Sequence, residues 1–154
     1  MTIKTSGKPN VLFLCTGNSC RSQMAEGWTR ALLGDCVNAC SAGIEPHGLN
    51  PRAVKVMAEA GVDISKHLPR HIDEFKDRNL DLVITVCGHA HETCPVFSAD
   101  CKVIHAAFED PPKIAKEWAE KGATDEEQLD CYRKVRDQIK TFVERLPEIL
   151  EIVE

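Results

Sequence analysis

Val11–Leu12–Phe13–Leu14–Cys15–Thr16–Gly17–Asn18–Ser19–Cys20–Arg21–Ser22 is the stretch on which the fold turns. The apolar run Val11–Cys15 is too short for a helix and is broken at once by Thr16 to Ser19, so it reads as a strand buried on both faces. From Ser22 to Leu33, Met24, Ala25, Trp28, Ala31 and Leu32 recur at helical spacing, and Gly34 marks the stop. Strand, tight loop and helix follow one another directly.

The same alternation continues along the chain. Val37–Ala42 is a second, weaker strand. Asn50 then reads as an N-cap with Pro51 at the first helical position, Ala53, Val54, Met57 and Ala58 as the apolar face, and Gly61 as the end. Leu80–Val86 is the strongest strand and Lys102–His105 a fourth. Thr124 and Glu127 match a capping box ahead of a long helix carrying Leu129, Tyr132, Val135, Ile139, Phe142, Val143 and Leu146, whose last turns Pro147 is expected to kink. Residues 112–123 read as a surface insertion with a short helix around Ile114–Glu120. Strands separated by helix-length crossovers predict an α/β fold: one domain over residues 1–154, a four-stranded parallel sheet with helices on both faces. Ligands are expected beyond the strand ends where the topology reverses, so the end of the first strand at Cys15 is the place to look.

Composition narrows the possible functions. The chain has 154 residues, 43% hydrophobic and 28% charged, a balance that supports one ordinary core. Twenty-four acidic against nineteen basic residues leave a net charge of -5, which disfavours nucleic acid as a partner. A polar N-terminus and the lack of a long apolar run predict a cytoplasmic protein with no membrane partner. Eight cysteines are too few for a disulfide scaffold of this length, and they make thiol chemistry or metal binding the leading question. Cys36, Cys40, Cys101 and Cys131 read as small core hydrophobes.

Cys15 to Ser22 has the form C-x5-R-S between a strand and a helix. The amides of Thr16, Gly17, Asn18, Ser19, Cys20, Arg21 and Ser22 can curl into a nest for a tetrahedral oxyanion, with the positive end of the helix behind it. Gly17 is expected to permit the turn, Asn18 to hold the loop's shape, and Arg21 to grip two anion oxygens with its planar fork. A helix N-terminus and a nearby cation favour thiolate, which makes Cys15 a candidate nucleophile with Ser22 as a donor to its sulfur. The bland alternative is a passive anion nest over a packed cysteine.

These residues, with Asp110–Pro111 late in the chain, resemble the low-molecular-weight protein tyrosine phosphatase fold. More closely, the runs from Cys15 to Trp28, from Ser41 to Pro51 and from Val135 to Ile139 resemble the thioredoxin-coupled arsenate reductases built on it. The resemblance implies arsenate as substrate, phosphate and sulfate as competing anions, thioredoxin as reductant, no cofactor, and a monomer. It implies that Cys15 attacks arsenate, Cys87 attacks the Cys15 sulfur to release arsenite, and Cys94 takes over the disulfide. On that reading the oxidised chain carries a Cys87–Cys94 bond and unwinds between them. If the strand ending at Cys87 neighbours the first, bridging distance to Cys15 is geometrically reasonable. Asp110 would protonate the leaving oxygen or assist Cys87, unless it is only a turn aspartate before its proline.

Two other readings stay open. Pro112 stands where the tyrosine phosphatases usually carry a substrate-stacking aromatic, which disfavours a phosphotyrosine pocket without excluding a phosphatase. Cys87, His89, His91 and Cys94 could form a metal site, making this a non-catalytic metal- or arsenite-binding thiol protein, or could be inert packing. Some of the related reductases bind potassium beside the loop. Asn18, Ser41 and Glu26 match that ligand set, but Leu68 and Arg70 replace its Thr and Asp after His67, so no metal is expected there.

Overall fold

The chain is described by a computed structural model, covering residues 7–88 and 101–153. In order, its elements are β1 (Asn10–Cys15), α1 (Arg21–Leu33), β2 (Asn38–Gly43), α2 (Pro51–Glu59), a 3-10 turn (Ile72–Phe75), β3 (Leu82–Thr85), β4 (Lys102–His105), α3 (Pro111–Glu120), α4 (Asp125–Glu144) and α5 (Leu146–Val153). The four strands are parallel and lie in the order β2-β1-β3-β4. Successive strand residues point to opposite faces, yet Val11 to Cys15 are all buried, so both sides of β1 are covered. From β1 the chain steps outward one way to β2 and the other way to β3. The loop after β1 therefore lies at the reversal of strand order, the usual place for a ligand crevice.

Local chemistry sets the helix starts. Asn50 accepts from the backbone N–H groups of Arg52 and Ala53 at 2.9 and 3.2 Å, with Pro51 in the first turn. Thr124 and Glu127 close their reciprocal capping box. The helices pack on one another, α4 receiving α1, α2 and α3. Trp28 of α1 is buried and donates through Nε1 to the Arg136 carbonyl of α4 at 3.1 Å.

Four expectations need correction. The Leu80–Val86 run pairs as strand only over Leu82–Thr85, although the Asp81 and Val86 N–H groups at its ends still donate to the Asn10 and Leu14 carbonyls at 2.9 and 2.8 Å. Residues 112–123 are no appended insertion: α3 starts at Pro111, buries Pro111 and Ala115, and packs against α4. Prolines fit there because a first helical turn needs no donor from them. Pro147 does not kink the long helix; α4 ends at Glu144 and a separate helix begins at Leu146, with Pro147 in its donor-free first turn. Of the four cysteines expected in the core, Cys131 is buried and Cys40 and Cys101 are partly buried, but Cys36 is exposed.

Candidate active site

The loop after β1 is shaped from outside. Ile44, Glu45, His47 and Asn50 donate their N–H groups to the carbonyls of Cys15, Thr16, Gly17 and Ser19 at 2.8 to 3.1 Å. With these carbonyls held outward by the segment after β2, the intervening amides are left to face the centre, the arrangement of an anion nest. Cys20, at the N-cap of α1, makes no side-chain capping bond, so the helix start is left to an incoming anion. Gly17 serves differently from expectation. Its φ is not in the left-handed region; a Cβ there would instead lie 2.8 Å from the His47 ring. Gly43 at the end of β2, which sequence reading passed over, is equally constrained: a Cβ would stand 2.7 Å from the Thr16 carbonyl oxygen and 2.9 Å from the Asn18 nitrogen.

Asn18 is the non-glycine residue with positive φ among the described residues, at 49°, and it is fully buried. Its Nδ2 donates to Ser22 Oγ at 2.8 Å, and Ser22 Oγ lies 2.9 Å from Cys15 Sγ. Because the serine accepts from Asn18, its own proton is available for the sulfur. The Asn18 N–H also points at Cys15 Sγ, at 3.2 Å. Two donors thus converge on one buried sulfur, which is what a charged thiolate needs. Behind Asn18, Oδ1 accepts from the Arg70 N–H at 2.7 Å, and Gln23 Nε2 reaches both its carbonyl and Oδ1 at 3.0 and 3.2 Å.

Arg21 is the first residue of α1. Its Nη1 donates to the Phe108 carbonyl at 3.1 Å and its Nη2 stands 3.9 Å from Asp110 Oδ1, so the late acid loop lies against the early cysteine loop. Asp110 is the N-cap of α3 yet makes no capping bond, which leaves its carboxylate facing Arg21. Cys87 follows β3, beside β1; the Val86 N–H donates to the Leu14 carbonyl at 2.8 Å, and Cys87 Sγ lies 3.2 Å from Thr16 Oγ1. The structure therefore brings Cys15, Arg21, Cys87, Asp110 and the Thr16–Ser22 nest to one place. Cys94, His89 and His91 lie outside the described residues, as does the expected unwinding before Cys94.

A model of the low molecular weight phosphotyrosine protein phosphatase family matches residues 10–152. The chain belongs to that family. Within it, the chain is 50% identical over 141 residues to the arsenate reductase of Halalkalibacterium halodurans, covering 89% of this chain and 96% of that one. A solved arsenate reductase in the phosphate binding state is 30% identical with a TM-score of 0.69, over 95% of this chain and 99% of that one. The low molecular weight protein tyrosine phosphatase of T. tengcongensis is 27% identical with a TM-score of 0.68, over 92% and 99%. Reductase and phosphatase thus share this scaffold, and the residues around the loop must decide between them.

The cation site of some family members does not fit these residues. Asn18 Oδ1 is taken up by Arg70 and Gln23, and Ser41 Oγ donates to Glu26 Oε1 at 2.8 Å. Glu26 Oε2 faces Arg30 at 3.1 Å and His67 Nδ1 at 3.4 Å. Arg70, which stands in place of the ligand-set Asp, turns its guanidinium toward Glu74 at 3.5 Å, and its backbone N–H meets Asn18. Among the described residues no group of three metal-binding side chains is assembled. Nor is any described helix long and apolar enough to cross a membrane. Burial, with Cys15 beside it, pushes the Cys20 thiol well above the usual range, so Cys20 is a poor competitor for Cys15 as nucleophile.

Proposed function

We propose that this chain reduces arsenate to arsenite by a disulfide relay running from Cys15 through Cys87 to Cys94, with thioredoxin as the final reductant. The observation that carries the reading is Cys87 at the rim of the oxyanion loop, 3.2 Å from Thr16 Oγ1. Phosphoryl transfer to water needs a nucleophile, an arginine and an acid, and has no use for a second thiol there. The identity to the arsenate reductases points the same way.

The nest and Arg21 hold arsenate, and its size and charge make phosphate and sulfate competitors. Arg21 leaves the Phe108 carbonyl to take two of its oxygens, a bidentate ion pair replacing a single bond to a neutral acceptor. Cys15 Sγ attacks arsenic, an oxygen departs as water with a proton from Asp110, and a sulfur–arsenic bond forms. Cys87 as thiolate then attacks Cys15 Sγ. A Cys15–Cys87 bond forms, the sulfur–arsenic bond breaks, and its electron pair stays on arsenic, which leaves as arsenite. Cys94 attacks Cys87 Sγ, frees Cys15 as thiolate, and the Cys87–Cys94 disulfide is reduced by the thioredoxin dithiol. Ser22 and the Asn18 N–H stabilise Cys15 both as attacking and as departing sulfur.

The test is arsenate-dependent oxidation of NADPH in the presence of thioredoxin and its reductase, repeated with glutaredoxin and glutathione. Turnover with thioredoxin is expected. Hydrolysis of an aryl phosphate at a healthy rate with no arsenate turnover in either system would assign the site to phosphatase chemistry instead.

A further inference from the structure

Beside the Cys15–Ser22 loop opens a cavity of about 290 Å³ whose walls include Glu26, Arg30, Lys66, His67, Arg70 and Arg78. Four of these are cations at neutral pH and one is a carboxylate, in a chain whose overall charge is -5. Burial holds His67 below the ordinary histidine value despite the pull of Glu26, so the ring adds no counter-charge demand of its own. Cys40, also in the wall, has its thiol pushed up to about 12 by burial and by Glu26, and stays protonated.

The single carboxylate is already engaged by Arg30, His67 and Ser41. Arg70 has Glu74 at 3.5 Å; Arg78 stacks over the Phe75 ring at 4.8 Å. Among the described residues, neither Lys66 nor Arg78 has a carboxylate within salt-bridge distance. Cations gathered around a concave, partly apolar wall focus their field into it, and a negative ligand relieves their mutual repulsion.

From this we infer that the cavity is a second anion site, distinct from the Cys15 nest, built for a compact multivalent oxyanion of the diphosphate class. Its volume of about 290 Å³ falls just below the roughly 300–1,000 Å³ range of small-molecule pockets, which suits adjacent phosphoryl groups better than a peptide. Arg70 joins the two sites: its guanidinium lines the cavity while its backbone N–H holds Asn18. His67 makes a second link, since its Nδ1 lies 3.0 Å from Gln23 Oε1 and Gln23 holds the Asn18 carbonyl. An anion that restrains Arg70 and His67 steadies the loop that receives the substrate.

The experiment is calorimetric titration of the intact, reduced chain at about 0.15 M salt, where surface fields are screened over ~8 Å. Inorganic pyrophosphate is the main probe, with inorganic phosphate and a nucleoside diphosphate as separate arms to distinguish free from nucleotide-borne phosphoryl groups. Lys66→Glu/Arg78→Glu is expected to weaken pyrophosphate at least about tenfold, because each reversal turns an attraction into a repulsion. The milder Lys66→Gln/Arg78→Gln pair guards against misfolding and is expected to weaken it less. Arg21→Lys, which cripples the nest, is expected to leave this binding within about twofold. Unchanged affinity in both double variants, loss of binding in Arg21→Lys, or no binding to the native chain overturns the proposal. None of these outcomes depends on arsenate turnover, so the two readings fail separately.

Discussion

Asn18 is the residue on which the loop turns, because its side chain does three things at once. It donates to Ser22, accepts from Arg70, and lets the backbone hold a φ of 49° that asparagine tolerates and most residues resist. Asn18→Ala removes the bonds and strains the backbone, and leaves the half-buried Arg70 N–H without its acceptor; a loss of about 3 kcal/mol in urea unfolding is expected. Asn18→Gly relieves the strain but not the lost bonds, and should recover about 1 kcal/mol of that. Equal losses would show that φ is unimportant here. At the centre, Cys15→Ser and Arg21→Lys are both expected to abolish arsenate turnover, the first by replacing the nucleophile and the second by losing the bidentate fork. Steady-state assay of Cys15→Ser at the native rate would end the mechanism.

The element scale shows what a single chain could tell and what it could not. The strand, loop and helix from Val11 to Leu33 were legible because apolar period, glycine and the C-x5-R-S spacing all lie within one continuous stretch, and the caps at Asn50 and Thr124 are likewise local. What stayed hidden depends on segments distant in the chain. No local signal says that Phe108 and Asp110 meet Arg21, that the Arg70 N–H meets Asn18, or that Gly43 must lack a side chain to pass the loop. A close β-strand approach leaves glycine as its only trace. Gly43→Ala is therefore expected to cost about 1–3 kcal/mol by overpacking and to lower kcat by displacing the nest; thermal unfolding beside an arsenate assay reads both. The neighbouring of β1 and β3 entered only as a condition that the family resemblance implies; it is observed, and it sets Cys87 beside Thr16. Cys87→Ser should lose arsenate reduction while keeping slow hydrolysis of an aryl phosphate, since the nest and Cys15 remain. Survival of both activities would remove Cys87 from the chemistry.

For the whole molecule, pH acts through two sets of groups that separate cleanly. Hydrogen bonds from Arg133, Ser65, Lys76 and Thr124 hold the exposed carboxyls of Glu59, Asp63, Asp73 and Glu127 below their ordinary values of 4.5 and 3.8. A carboxyl lowered on folding stabilises the protein above its unfolded value and loses that contribution as pH falls through the folded one, so these act only in strong acid. His67 acts higher. Burial, helped by Arg30, outweighs the attraction of Glu26 and lowers it from 6.5. Between the two values the unfolded chain binds a proton that the folded chain refuses, so stability rises with pH there. The contribution is complete above about 6.5 and is lost as pH falls below it. Asparagine places an amide near the position of Nδ1, within reach of Gln23, but takes up no proton. The melting temperature of the native chain should therefore fall more steeply below pH 6.5 than that of His67→Asn, with the two curves parallel above it. Parallel curves throughout would mean that His67 is as easily protonated in the folded protein as in the unfolded one, and that Gln23 and Glu26 hold the charged ring as well as the neutral one.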